Sequence, residues 1–399
     1  MLNKFKIIGF SFTFIFVIGS IIALPFPFYI LPDIGKYTSS FFESINELWI
    51  NLVQVDDDAF LLVISDSTGL YLHLMSLCVV RGVGAFIWIF LSKTQSLRIK
   101  NWFHISVAYY LALILFKYGF DKVFKHQFYL SEPNTLYTPM GKLTTDILFW
   151  SSISSSYQYS IFSGLIEILP AISLLFKKTR LLGALIAMAV LANVMMINFG
   201  FNISVKVYFL FLLLLSIIFI APNAKQLFSF FFSNNQVNQK VEDVKFKSNK
   251  QLLFYAITKS IVIGLILFES LGGYFEMSNF NDENYPRPYL NGAYTVGKKN
   301  IENSDDIKRV FFHRKQYFIV QYEDDKFVSY ELMFSEDMKT LILFDNVNEY
   351  FRLGFQYDDS KQELMLSGIL SDRYVSISAK KESLLELPLF DNKVTWTFD

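Results

Sequence analysis

Residues 252–274 read LLFYAITKSIVIGLILFESLGGY, and soon afterwards the chain changes to Ala-Tyr-Thr-Val at 293–296 and Lys-Arg-Val-Phe-Phe-His at 308–313. The first stretch is one unbroken apolar block, long enough to cross a bilayer, which takes ~20 residues of helix. The second is a set of short runs with the period of a half-buried strand. The fold turns on this change. Upstream of 275 the chain is a series of apolar blocks, and downstream it is a series of strands.

Working back toward the N-terminus, seven blocks have the length and apolarity of spans: 7–30, 69–92, 103–120, 157–176, 181–199, 204–222 and 252–274. The first is preceded by Lys4 and Lys6, but it is too long for a signal-peptide core and lacks a small-residue cleavage site, so it reads as a retained helix. Composition agrees with a membrane protein: 53% of residues are hydrophobic and 18% charged, where a soluble chain would carry about a quarter charged. Lys and Arg divide unevenly between alternate connections. The N-tail, 93–100, 177–180 and 223–251 hold thirteen, against five in 31–68, 121–149 and 200–206. The positive-inside rule makes the first set cytoplasmic. An odd number of crossings then puts the C-terminus outside the cytoplasm.

Working forward, strands are predicted at 293–296, 308–313, 316–322, 327–333, 340–344, 350–355, 363–369, 374–379 and 394–398, separated by Asp-rich turns. Helices are absent between them, so the pattern implies an antiparallel meander, a small barrel or sandwich. From residue 276 on there are 15 Lys+Arg and 22 Asp+Glu, a net charge of −7. Such a surface repels nucleic acid and excludes it as a partner. The division predicted is 1–102, N-terminal spans with an acidic outer loop holding an amphipathic stretch around 41–53; 103–222, a four-helix membrane unit; 223–275, a polar linker and the last span; and 276–399, the β domain. Residues 121–149 read as an ordered cap.

Polar and ionisable groups at bilayer depth are costly and mark either a functional site or a polar contact between helices. The candidates are Arg81, Lys117, Asp121, Lys122, Glu167, Asn193, Lys206 and Glu269. One reading gathers Lys117, Lys122 and Lys206 into a polar pocket with Glu167 at its floor. The other makes Arg81–Glu167 and Lys206–Asp121 structural pairs. Sequence leaves both open. The single cysteine, Cys78, rules out an intrachain disulfide and reads as a small buried apolar residue. Four scattered histidines give no metal-ligand spacing, so no metal site is predicted.

Two stretches together resemble the DoxX family of membrane proteins, in its longer Bacteroidetes-type form. They are Leu113-Ile-Leu-Phe-Lys117-Tyr-Gly119-Phe-Asp121-Lys122 and Gly164-Leu-Ile-Glu167-Ile-Leu-Pro170, the latter running into Phe176-Lys-Lys-Thr-Arg-Leu-Leu-Gly183. The resemblance covers 103–222 and implies a four-helix unit with Gly119 and Gly164 at motif positions. It also implies an association with redox or quinone chemistry. A quinone would have to be held non-covalently between helices, since no cysteine pair or haem ligand accompanies the motif. The alternative is a non-enzymatic assembly or scaffold protein of the cell envelope, whose β domain binds a protein partner while the helices contact the bilayer.

Overall fold

A computed structural model describes residues 2–24, 26–32, 52, 65–91, 97–233, 248–297, 307–345, 349–371 and 373–391. The helices are α1 (Leu2–Ala23), α2 (Thr68–Leu91), α3 (Leu97–Val123), α4 (Pro133–Leu136), α5 (Thr145–Ser154), α6 (Tyr157–Leu175), α7 (Arg180–Gly200), α8 (Lys206–Ile220), α9 (Ala224–Phe232) and α10 (Asn249–Met277). The strands are β1 (Gly292–Val296), β2 (Ile307–His313), β3 (Tyr317–Tyr322), β4 (Phe327–Phe334), β5 (Thr340–Phe344), β6 (Tyr350–Asp358), β7 (Glu363–Leu370) and β8 (Arg373–Lys381). The chain is a multi-pass membrane protein: a helical region followed by a closed antiparallel β-barrel.

Six helical stretches among the described residues are long and apolar enough to cross a membrane, and the described apolar part of α1, Ile8–Ile22, is shorter. Their exposed faces are apolar, as lipid contact requires. On α6, Phe162, Leu165, Leu169 and Ile172 lie exposed along one stripe, while Gly164, Glu167, Ala171 and Leu174 are buried on the other. α1 packs on α2 and α3, α3 on α8 and α10, and α7 on α8. The common core runs through Leu111, Ile114 and Leu115 of α3 and Leu212 and Leu215 of α8. Cys78 lies on an exposed face of α2 and is not the buried residue expected. Its neighbours Val79 and Val80 are exposed with it, so it belongs to the apolar surface of that span.

The conformations of individual residues explain the joins. Pro170 sits inside α6, where it offers no N–H to the turn before it. The end of α6 is closed by side chains: Thr179 Oγ1 donates to the Ser173 carbonyl (2.8 Å) and Arg180 Nε to that of Leu174 (2.9 Å), supplying donors that terminal carbonyls otherwise lack. Asp66 does the same at the start of α8, accepting from the Lys206 and Val207 amides at 2.8 and 3.1 Å.

All eight strands pair with their sequence neighbours, and β1 also pairs with β8 through Tyr294↔Lys381 and Val296↔Ala379, which closes the barrel. A sandwich is therefore excluded. Alternate residues point inward, and eight strands leave an interior that side chains can fill. Val310, Phe312, Phe318, Leu341, Leu353 and Leu364 are buried there. The predicted ninth strand, 394–398, lies outside the described residues, as does the amphipathic stretch 41–53 apart from Leu52.

The chain forms two compact units, and they are not consecutive in sequence. Residues 1–127 and 161–280 make the helical unit, and 128–160 join 281–399 in the barrel unit. The 121–149 cap of the sequence reading thus falls mostly in the barrel unit. The contact is specific. Ala293, Phe311 and Ile319 face outward from β1–β3 yet are buried, because Tyr137 and Leu384 pack over them.

Candidate functional site

The helical unit contains a cavity of about 380 Å³, walled by Phe26, Phe28, Tyr118 and Tyr274 and carrying Lys117, Asp121, His126 and Glu269 on its lining. Three features of the chain build it. The segment after α1 turns back, and the amides of Tyr29, Ile30 and Leu31 all donate to the Glu269 carboxylate, the last two at 2.8 and 3.0 Å. Lys117 Nζ adds an ion pair to Glu269 Oε1 at 3.2 Å. Successive amides aimed at one anion form a nest, which fixes the carboxylate without a second cation. Gly272 makes room, since a Cβ there would lie 2.3 Å from the Tyr29 ring.

On the facing side, Asp121 accepts a hydrogen bond from the Tyr274 hydroxyl. Its own carbonyl accepts from the His126 and Gln127 amides at 2.8 and 3.0 Å, ending α3. Lys125 has a left-handed φ of 62° in this turn. The turn carries His126 back to the lining, where Nε2 is 3.0 Å from the Asn279 carbonyl and the ring stands edge-on to Tyr274 at 4.9 Å.

Lys122 and Glu167 do not line this cavity. They form a buried ion pair with each other. One residue along a helix turns the side chain by about 100°, so Asp121 faces the cavity while Lys122 faces α6. The pair is placed by Gly119 and Gly164, each three residues before it. A Cβ on Gly164 would stand 2.5 Å from the Gly119 carbonyl, and one on Gly119 would stand 3.0 Å from that of Gly164. α3 and α6 therefore touch backbone to backbone. One turn on, Lys122 and Glu167 meet directly, and Glu167 Oε2 has no hydrogen-bond partner among the described residues. At the next crossing, a Cβ on Gly183 of α7 would lie 2.9 Å from the Leu174 amide and 3.0 Å from the Pro170 carbonyl of α6. The glycines and charges of the two motifs thus all have a packing role.

A 97-residue stretch, 24% of this chain, is 37% identical to the uncharacterized protein YwoB of Bacillus subtilis (strain 168) and covers 61% of it. The match thus spans about three fifths of that protein's length. No family profile and no solved structure matches the chain.

The remaining predicted site residues lie elsewhere. Arg81 donates from Nη1 to Ser20 Oγ at 2.7 Å and from Nη2 to the Gly19 carbonyl at 2.8 Å. Gly19 leaves room for this guanidinium, since a Cβ there would fall 2.8 Å from the Arg81 Nε and the arginine side chain would have to shift. Lys206 pairs with Asp66 at 3.8 Å, and Asn193 is exposed on α7. The pairs Arg81–Glu167 and Lys206–Asp121 are consequently not formed, and the pocket ringed by Lys117, Lys122 and Lys206 is not assembled. Depth along a helix can be counted from sequence, but the direction a residue faces depends on which helix is its neighbour. Sequence reasoning missed Tyr118, Tyr274, His126 and the returning segment 26–31 as parts of one site. Phe26-Pro-Phe-Tyr29 was the available signal, an aromatic run directly after an apolar helix.

A second polar cluster lies wholly in the barrel unit. Arg314 Nε binds Glu132 Oε1 at 2.6 Å and Nη1 binds Asp282 Oδ2 at 2.7 Å, while its guanidinium stacks over Tyr129 at 3.7 Å. Arg287 also reaches Asp282, at 2.9 Å. Adjacent His313 places Nε2 3.5 Å from Glu132 Oε2 and accepts from the Lys315 amide at Nδ1 (3.0 Å). Burial, with Arg314 and Lys315 alongside, lowers its imidazole to about 4. The ring is neutral at pH 7, and the cluster fastens the 128–160 segment to the barrel.

Proposed function

We propose that the helical unit is a membrane-embedded binding module for a ring-bearing, quinone-like amphiphile. The observation that carries this reading is the 380 Å³ cavity. Its volume falls within the range of small-molecule sites, and its aromatic walls with a few convergent polar groups are what such sites use. Lys117 is the donor suited to meet a ring carbonyl, while His126 Nε2 is committed to the Asn279 carbonyl, and Tyr118 and Tyr274 are suited to pack on the ring faces. The resemblance of the Lys117–Lys122 and Gly164–Pro170 stretches to the DoxX family points the same way, as a redox or quinone association. We place the protein in the inner membrane of a bacterium with the N-terminus cytoplasmic. With α1 as a seventh span, the barrel would lie outside, as the thirteen-to-five distribution of Lys and Arg supports.

The test is binding of a short-chain quinone to the full chain in nanodiscs, followed by tryptophan quenching or native mass spectrometry. Gly273→Leu is the informative variant. A Cβ at Gly273 meets nothing closer than 3.8 Å, and Gly273 lines the cavity, so the added side chain starts without a clash and takes up cavity space. Saturable binding that this variant lowers by about tenfold, ~1.4 kcal/mol, supports the reading. Equal binding to both proteins overturns it. Quinone reduction measured with and without thiosulfate or sulfite then separates a redox role from binding alone.

One observation favours a second reading, a non-enzymatic envelope scaffold. Lys117, Asp121, His126 and Glu269 each already have a partner within the bundle. The barrel also exposes Met333, Tyr350, Ile369 and Tyr374 on β4–β8, residue types common at protein interfaces. Recovery of a defined envelope complex with a protein that binds no quinone would establish that reading.

A further inference from the structure

The barrel is packed unevenly from end to end. At the end where β2 leads into β3 and β4 into β5, the interior is aromatic. Tyr294 meets Phe312 at 5.5 Å, Phe312 meets Phe318 at 5.3 Å, and Phe334 meets Phe355 at 5.8 Å. These rings plug that end. At the opposite end Tyr330 and Phe351 meet deeper in the interior at 5.9 Å, and the outermost inward positions include four aliphatic residues: Ile307 opens β2, Val328 is second in β4, Leu370 closes β7 and Val375 is third in β8. Gly368, two residues before Leu370, has φ +151°, and a Cβ there would lie 2.4 Å from the Arg352 carbonyl and 3.1 Å from Leu353, so β6 packs directly against its backbone.

Smaller residues on a cylinder of constant strand number leave space. The result is a cup of about 590 Å³ lined by these four aliphatic residues and Tyr322. Its rim carries both signs of charge, with Lys326 and Arg373 beside Glu323 and Asp324. Ser371 is also on the lining, and its Oγ is hydrogen-bonded to the Tyr330 hydroxyl at 2.9 Å, which gives both hydroxyls a partner.

We propose that this mouth binds a zwitterionic single-chain amphiphile of the lysophospholipid class, with the hydrocarbon chain in the cup and the head at the rim. An aliphatic floor selects a chain over a polar ligand, and a rim of mixed sign suits a head that carries both charges. The site lies entirely in the barrel unit and is independent of the helical cavity.

The probe is lysophosphatidylcholine with a diazirine at the end of its chain, added in trace amount to the full protein in maltoside micelles. Irradiation, digestion and mass spectrometry then locate the adducts. We expect adducts on the peptides holding Ile307, Val328 or Val375, suppressed by excess unlabelled lysophosphatidylcholine. Val375→Trp fills the cup and removes these adducts, while those on the α2 and α6 lipid faces persist as an internal control. An anionic fatty acid or an alkylammonium of equal chain length competes less well by about fivefold, the scale of one exposed charge pair. Adducts on the barrel that unlabelled lipid does not suppress overturn the proposal, as do adducts confined to its outer face. The competition arm uses the unaltered protein, so it decides the matter even if Val375→Trp fails to fold. Equal competition by all three amphiphiles overturns the assignment of the head.

Discussion

Gly164→Ala adds one methyl group at the point where α3 and α6 touch, and the structure sets how much it displaces. The new Cβ would lie 2.5 Å from the Gly119 carbonyl, 2.8 Å from Val123 Cγ2 and 3.0 Å from the Val123 amide. Two of these neighbours are backbone and cannot rotate away. Ordinary contact begins at 3.4 Å, so the helices must part by 3.4 − 2.5 = 0.9 Å. A gap of about that size forfeits a quarter to a half of each dispersion contact across the interface. It also stretches the buried Lys122–Glu167 pair one turn away. Overpacking of this kind costs about 1–3 kcal/mol, offset by ~0.5–1 kcal/mol from the better helix propensity of alanine. With the middle of each range, about 2 less ~0.75 kcal/mol, the expected net loss is about 1.3 kcal/mol. Gly119→Ala should cost less, because its nearest backbone neighbour, the Gly164 carbonyl, stands at 3.0 Å rather than 2.5 Å. Thermal unfolding in detergent, followed by fluorescence-detected size exclusion, measures both variants. Combining Gly164→Ala with Lys122→Met and Glu167→Gln should give less than the sum, since the alanine has already loosened the pair. Wild-type stability for Gly164→Ala, or full additivity, would refute the backbone contact as the device that positions the charges.

Glu269→Gln turns one of the two oxygens that accept from three amides into an NH2 donor and removes the charge that pairs with Lys117, and should destabilise by about 3–5 kcal/mol, the cost of breaking a buried pair from one side. Limited proteolysis within 26–32 should become faster in that variant, and unchanged cleavage would count against the nest. Asp66→Ala removes the side chain that accepts from the first two amides of α8 and should cost about 0.5–2 kcal/mol, the scale of a lost capping bond, with Asp66→Asn retaining most of the stability. His313 gives a pH dependence. Its folded value of about 4 lies below the ordinary one, so its neutral form is favoured by folding. The associated stability is complete above about 6.5 and falls as pH drops through 4. Melting curves from pH 7 to pH 4 should therefore descend more steeply for wild type than for His313→Gln, and parallel curves would exclude the imidazole as a cause.

Much of the fold was legible because periodicity survives in sequence. The strand predicted at 340–344 has the bounds of β5, since an alternating run between polar turns admits one assignment. β6 extends to Asp358, beyond its predicted end at 355, because Gln356, Tyr357 and Asp358 are held by pairing with Met365, Leu364 and Glu363. That information belongs to another strand. The site was less legible for a related reason. Lys117 and Asp121 were found as polar residues at helical depth, but Glu269 is held by main-chain amides, and those carry no residue signature. The Lys122–Glu167 pair did have a signal. Each partner stands three residues after a glycine, and two such spacings place both charges at the same height above a close crossing. The packing of Tyr137 on Phe311 rests on too few residues to register as a pattern.

The nest at Glu269 also bears on the order in which the protein can be made. Its donors and acceptor are 240 residues apart. At about 5–20 residues per second, synthesis takes roughly 12–48 s to cover that distance. Through that interval Tyr29, Ile30 and Leu31 have been translated, and the carboxylate that will hold them has not. The returning segment therefore cannot lock against the bundle until the last span is in place. The cavity is sealed by the final insertion event, and truncated or stalled chains would present it open to the membrane's quality-control proteases.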